Sequence, residues 1–244
     1  MAELNDPRTT AATNFGSVPR AGGQVVFDAG LRKHMLSIYN YMTSGVLLTG
    51  IVALLTFNSG LAYSFASGPL MWIVALSPLA VVMAMSFGAN RFSKATLQIM
   101  FWGFAALMGL SMSTIFLRFT GGSIAVTFMA TAAAFAGLSL FGYTTQKNLG
   151  GIGTFLIMGV VGLLVAMIAN MFLQSPGLMY AISFIGVLIF AGLTAYDTQR
   201  LKNEYAVLRG TEFAGKAIIL GALSLYLDFI NMFQFLLSFM GNRE

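Results

Sequence analysis

Long apolar stretches, separated by short polar connections, make up almost the whole chain after residue 31. A helix needs roughly 20 consecutive apolar residues to cross the hydrocarbon core of a bilayer. Seven stretches meet this requirement, and we predict one transmembrane helix in each. They lie at about residues 35–57, 70–89, 95–117, 122–143, 152–174, 178–201 and 215–240.

The first 31 residues follow a different pattern. They are rich in Gly, Ala, Thr, Asn and Pro and show no apolar period. They also lack the apolar core of a secretory signal peptide. We therefore predict a flexible polar N-terminal tail over residues 1–31 and a seven-helix transmembrane domain over residues 32–244.

The composition agrees with an all-α integral membrane protein. Hydrophobic residues make up 57% of the 244 residues and charged residues 9%, with a mean hydropathy of +0.81. Soluble domains carry about 25% charged residues. Cysteine is absent, which excludes disulfides and thiolate metal sites. We attribute the net charge of +5 to membrane topology, and we expect the lipid bilayer as partner and no nucleic acid.

The Lys and Arg residues predict the orientation, because cytoplasmic segments of membrane proteins are enriched in them. With the N-terminus inside, only Arg118 and Arg243 fall in outer segments, and the other eleven fall inside. We predict a cytoplasmic N-terminus and an outside C-terminus. A re-entrant last helix, which would leave the C-terminus inside, is the alternative.

Two aspartates, Asp197 and Asp228, lie within the last two apolar stretches. An ionisable side chain at membrane depth is costly, so its default interpretation is functional. Between them, Gly210 predicts a helix C-terminus and Thr211 the N-cap of the next helix. Each aspartate then lies roughly 18–24 Å from this turn along its helix. The two carboxylates are predicted at similar depth on antiparallel neighbours, although the rotation of each helix stays open.

Polar residues share one face in each of these two helices, and the remaining faces of the seventh are mostly apolar. Such a helix suits a central position in a bundle. In the seventh span the face consists of Gly221, Ser224, Asp228 and Asn231, with Gln234 at its edge. The weaker stripe of the sixth span, interrupted by two large apolar residues, consists of Ser183, Gly186, Thr194 and Asp197. Two facing stripes would form a narrow, partly polar lumen lined or supported by Thr194, Ser224 and Asn231.

Two carboxylates a few Å apart in a low dielectric tend to share one proton, and their titration belongs to the pair. A proton-sharing pair could hold two helices together. Full ionisation would push them apart, or would create a transient metal site at Asp197 and Asp228 for a hard cation such as Ca²⁺, which prefers oxygen ligands. The pair is therefore a candidate pH sensor and gate.

Simpler roles stay open for both residues. Asp197 has Arg200 at i+3, a spacing that favours an ion pair at the cytoplasmic end of the helix. Asp228 could be a structural, hydrogen-bonded residue. The segment around Asp197 is neither a GxGD-type nor an HExxH-type protease motif, and we expect no enzyme.

Two segments together resemble the Bax inhibitor-1 family, and in particular its bacterial branch. They are Ala-Gly-Leu-Thr-Ala-Tyr-Asp-Thr-Gln-Arg-Leu-Lys at 191–202 and Gly-Ala-Leu-Ser-Leu-Tyr-Leu-Asp-Phe-Ile-Asn-Met-Phe at 221–233. Segments 29–35 and 141–147 are also similar to that branch, so the resemblance covers about residues 29–244.

The resemblance implies a fold whose seventh helix is enclosed by the first six, in a bacterial inner membrane. It implies a pH-sensitive calcium leak with Asp197 and Asp228 as the sensor, Ca²⁺ as the permeant ion, and no cofactor. Some relatives have an arginine on the second helix that engages the aspartates. The second span here contains none, and Arg91 lies just past its end.

Our first functional hypothesis is therefore a leak channel for Ca²⁺ gated by protons at the aspartate pair. The alternative is a non-conducting regulator that binds a membrane-anchored protease, as some bacterial relatives do, with the polar tail as its docking surface. A third hypothesis, proton-coupled transport of a small solute, requires a substrate cavity that the sequence does not display.

Overall fold

The computed structural model describes residues 29–66 and 68–242, and within them all the regular elements are helices. Seven of the helices are long and apolar enough to cross a membrane, which confirms the predicted fold class. Residues 1–28 of the predicted tail lie outside the described part, and the first helix already begins at Ala29. The elements are α1 (Ala29–Asn58), α2 (Leu61–Phe65), α3 (Gly68–Gly88), α4 (Lys94–Met112), a 3-10 helix η1 (Ser113–Leu117) that continues α4, α5 (Gly121–Thr144), α6 (Gly150–Leu173), α7 (Pro176–Leu208) and α8 (Ala214–Met240).

The helix ends are set by short polar side chains and by one glycine. Ser93, Thr120 and Ser175 each accept a hydrogen bond from a backbone N–H in the first turn of the helix that follows. Gly210 has a φ of 80°, as predicted for the end of the sixth span. The predicted N-cap at Thr211 is wrong, because its hydroxyl donates to the Leu208 carbonyl at 2.7 Å and closes α7 instead.

The last helix, α8, is the centre of the bundle. In its apolar segment 61% of the residues are buried, against 11% in α3. It packs mainly against α1, α4, α5 and α7, while α3 packs on α4 and α6 packs on α7. Four helices therefore contact α8, the seventh transmembrane helix, directly, and α3 and α6 lie outside them.

A buried hydrogen-bond chain fixes α8 against α1 and α4. The Thr49 hydroxyl donates to the Ala105 carbonyl at 2.8 Å and lies 2.6 Å from the Tyr226 hydroxyl. Because the single Thr49 proton is used on Ala105, Tyr226 is the donor to Thr49. The chain satisfies the phenol of Tyr226, whose side chain is fully buried.

A glycine lets α5 and α7 approach each other closely. A Cβ added at Gly142 would overlap the Ala195 carbonyl oxygen and lie 2.9 Å from its carbon. One turn away, the Thr198 hydroxyl donates to the Ser139 hydroxyl at 3.3 Å across the same interface. Close backbone approach at small residues is a common way to pack helices within membranes.

Contacts at the two ends of the bundle show that α8 crosses it completely. At one end, named here the basic end, Lys202 and Lys216 donate to the carbonyls of Tyr143 and Ala89. At the opposite end the Thr120 N–H donates to the Asn242 carbonyl at 3.1 Å, so the end of α8 lies beside the start of α5. A continuous helix over Ala214–Met240 agrees with a full seventh span, and the side of the membrane on which each terminus lies stays a prediction.

Candidate functional site

Asp197 and Asp228 line one cavity of about 620 Å³, named here the middle cavity. Helices α7 and α8 form its polar wall, and α3 and α6 form an apolar wall with residues such as Leu79 and Val160. Asp197 from α7 and Asp228 from α8 therefore face the same space. The polar residues of the cavity are Ser111, Asp197, Arg200, Ser224, Asp228, Asn231 and Gln234.

Arg200 connects the two helices beside the aspartates. Its Nη1 lies 3.3 Å from Asp197 Oδ1 and its Nε lies 3.4 Å from Glu204 Oε1, both on α7. Its Nη2 donates to Ser224 Oγ on α8 at 3.1 Å. The ion pair expected from the i+3 spacing is therefore present, and the same guanidinium also bridges α7 to α8.

Asp228 has a different environment. Its side chain is buried, and its Oδ2 has no hydrogen-bond partner among the described residues. A buried carboxylate oxygen without a partner is costly when ionised, and the cost falls if the group binds a proton or a cation. A purely structural role would require Asp228 to be hydrogen-bonded, and Oδ2 makes no such bond to the described residues.

The other predicted site residues divide into two groups. Ser224 and Asn231 line the middle cavity, and the Asn231 amide donates to the Leu227 carbonyl at 2.8 Å, which orients it. Thr194 is fully buried and is not among the lining residues, because its hydroxyl bonds the Phe190 carbonyl at 2.8 Å within α7. Thr194 therefore supports the helix and does not line the lumen.

The arginine beside the aspartates comes from α7. Arg91 is exposed in the connection between α3 and α4 and is not among the described residues that line the middle cavity. Sequence reasoning named Arg200 as supporting, but it missed Glu204 as the second carboxylate on this guanidinium. The i+4 spacing of Arg200 and Glu204 was the signal that could have found it.

Two further cavities adjoin the middle cavity. The inner cavity, about 480 Å³, lies toward the basic end and includes Glu204 and Phe213. The outer cavity, about 670 Å³, lies toward the opposite end and includes Arg118. Arg200 and Ser224 line both the inner and the middle cavity, and Ser111 and Gln234 line both the middle and the outer cavity. The three cavities thus lie in series along α7 and α8.

The possible metal ligands at the aspartates are oxygen atoms. Within the described ranges there is no group of three or more His, Cys, Asp or Glu side chains that could hold a metal. Two carboxylates, an amide and a hydroxyl are oxygen donors of the kind Ca²⁺ prefers, but tight calcium sites supply 6–8 oxygens. The middle cavity therefore supplies fewer protein oxygens than a tight calcium site.

Comparison with known sequences identifies the family of this fold and site. A family model described as inhibitor of apoptosis-promoting Bax1 matches residues 31–244, which include both aspartates. The chain belongs to the Bax inhibitor-1 family. Membership agrees with the resemblance carried by the two aspartate segments, and it makes this chain an integral membrane protein with seven apolar helices.

Similar members of the Bax inhibitor-1 family are bacterial and of nearly the same length. An uncharacterized protein of Caulobacter vibrioides is 46% identical over 240 residues, covering 93% of this chain and 96% of the relative. The inner membrane protein YbhL of Escherichia coli K12 is 42% identical over 230 residues, covering 93% and 98%. These relatives show the same family, and the Escherichia coli relative is named as an inner membrane protein.

Proposed function

We propose that this Bax inhibitor-1 family protein is a pH-sensitive, calcium-permeable leak pathway of the bacterial inner membrane. The observation that carries the proposal is the series of three cavities, with both buried aspartates in the middle one. The name of the Escherichia coli relative supports the inner membrane. Buried carboxylates in a membrane protein commonly mark ion or proton pathways.

Arg200 and Ser224 line both the inner and the middle cavity, so they form the constriction between the two. Arg200 is held there by Asp197, Glu204 and Ser224, at 3.3, 3.4 and 3.1 Å. A guanidinium in this position opposes a divalent cation by charge and by volume. Protonation of Asp197 removes one of its two carboxylate partners, so the guanidinium is released and the flux of Ca²⁺ rises on acidification.

The two carboxylates have different parts in this scheme. Asp197 is ionised in the closed state because Arg200 faces it, and Asp228 holds the proton of the pair because it is buried with an unpartnered oxygen. Arg200 on α7 is the other charged group on the middle cavity, and Glu204 faces that guanidinium. The described lining residues of α3, α4 and α6 are not titratable.

The test is Ca²⁺ flux into proteoliposomes over a pH series, with full-length protein. Asp197→Asn mimics the protonated partner, so we expect high flux that no longer depends on pH. Asp228→Asn mimics the proton that Asp228 already holds and keeps the Arg200–Asp197 ion pair, so we expect low flux at neutral pH and the same rise on acidification as in wild type. Glu212→Gln, which makes the same acid-to-amide change at an exposed position of the α7–α8 connection, is the matched control and should behave as wild type.

Unchanged flux and unchanged pH dependence in Asp197→Asn would overturn the proposal. A wild-type protein without Ca²⁺ flux at any pH would favour the protease regulator instead. That alternative depends on the predicted tail, which lies outside the described residues, and deletion of residues 1–27 followed by co-purification would test it. Proton flux that requires an added solute would favour the transport alternative, for which the middle cavity supplies the space.

A further inference from the structure

A deep groove opens between α1 and α5 on the membrane-facing side of the bundle. Its volume is about 710 Å³, larger than each of the three cavities along α7 and α8. Phe229 of the central helix α8 lies at the bottom of the groove. Ala132 and Ala136 line it from α5, and their short side chains leave space in it. Volumes of about 300–1,000 Å³ are typical of small-molecule sites.

The groove is long and apolar over most of its length. It extends along α1 from Arg32 to Leu47, which is about 22 Å of helix. One leaflet of a bilayer is about 15 Å deep, since the hydrocarbon core is about 30 Å thick. The groove can therefore hold an extended acyl chain of one leaflet along its full depth.

Basic side chains lie at the mouth of the groove at the basic end. Arg32 lines it from α1, and Tyr143 lines it from the end of α5. The Lys202 ammonium lies 5.3 Å from the centre of the Tyr143 ring and donates to its carbonyl at 2.7 Å. Among the described residues, no acidic side chain lines the groove. Basic pockets between transmembrane helices bind lipid phosphates, and tyrosines favour the headgroup level.

We propose that the α1–α5 groove binds an anionic phospholipid from the leaflet at the basic end, with its phosphate at Arg32 and one acyl chain over Phe229. A guanidinium offers five donors and a lysine ammonium three, so both can serve a phosphate while keeping another contact. A second copy of the chain would need a complementary apolar ridge and no charge at the mouth.

The experiment is native mass spectrometry of the full-length protein in mild detergent, with phosphatidylglycerol and phosphatidylethanolamine added as competing probes. Ala136→Phe fills the groove from an exposed position, and Ala134→Phe is its control, since Ala134 is also exposed but does not line the groove. Arg32→Gln removes the mouth charge, and Lys33→Gln makes the same charge change one residue away, outside the groove.

We expect one retained phosphatidylglycerol in wild type, Ala134→Phe and Lys33→Gln, and a several-fold loss in Ala136→Phe. In Arg32→Gln the preference for phosphatidylglycerol should fall to near parity. Equal retention in Ala136→Phe and Ala134→Phe overturns the site, and an unchanged preference in Arg32→Gln overturns the phosphate contact. A photo-reactive residue at Leu140 should label lipid; labelling of a second copy, or of residues 1–28, also contradicts the proposal.

Discussion

Replacement of Gly142 by alanine tests whether the close approach of α5 and α7 is needed for stability. The added Cβ would overlap the Ala195 carbonyl oxygen and lie 3.0 Å from its Cα. Because all these atoms are backbone, no side chain can rotate away, and the helices must separate. Overpacking of this kind costs about 1–3 kcal/mol. The same separation stretches the 3.3 Å bond between Thr198 and Ser139, a buried hydrogen bond worth about 0.5–1.5 kcal/mol.

We therefore expect Gly142→Ala to lower the free energy of unfolding by about 1–3 kcal/mol, which is the cost of the overpacking and the weakened hydrogen bond less the roughly 1 kcal/mol that alanine gains over glycine in a helix. The measurement is SDS-induced unfolding in mixed micelles, followed by circular dichroism. Gly137→Ala is the control on the same helix, because its Cβ meets no atom within 4 Å. It should be neutral or slightly stabilising, since alanine favours helix over glycine. Equal stability of the two variants would refute the packing argument.

Three further variants test the buried polar contacts. Tyr226→Phe should lower the free energy of unfolding by about 1 kcal/mol. Thr49→Val should lower it more, by about 1–3 kcal/mol, because it leaves the Tyr226 hydroxyl buried without its partner. The same SDS titration compares the two variants, and the reverse order would contradict the assignment of Tyr226 as the donor. The Gln199 side-chain amide donates to the Lys147 carbonyl and accepts from the Leu149 N–H, each at 2.8 Å. Gln199→Leu should therefore speed tryptic cleavage at Lys147 and leave the Arg200–Asp197 ion pair unaffected. An unchanged cleavage rate would contradict the role of Gln199 in holding the α5–α6 connection.

The depth of the aspartates was predictable from sequence because it depends on distances along the chain. Helix rise is fixed, and Gly210 marks the turn from which both distances are counted. Helix rotation is less predictable, so the sequence leaves open whether Thr194 lines or supports the lumen, and its hydroxyl is satisfied within α7. A threonine can bond its own helix as readily as line a pore.

The α1–α5 groove and the short helix α2 could not be predicted from the pattern. In a bilayer, lipid-facing and packed helix faces are both apolar, so the residues of the groove, such as Leu36 and Leu47, look like any lipid-facing positions. Helix α2 spans five residues, Leu61–Phe65, too few to show a period. The groove and α2 both depend on the spacing between neighbouring helices. The apolar periodicity of a sequence gives no information on that spacing.

The position of Arg200 on the same helix as Asp197 has a consequence for the speed of the proposed gate. The Arg200 side chain is 35% exposed, and its partners on α7 lie three and four residues away. Releasing it needs rotation about the side-chain bonds of one half-buried residue, a smaller rearrangement than helix displacements, which take microseconds to milliseconds. A gate of this kind would follow the protonation of Asp197 almost without delay, so proton exchange itself would set the response time of the pathway.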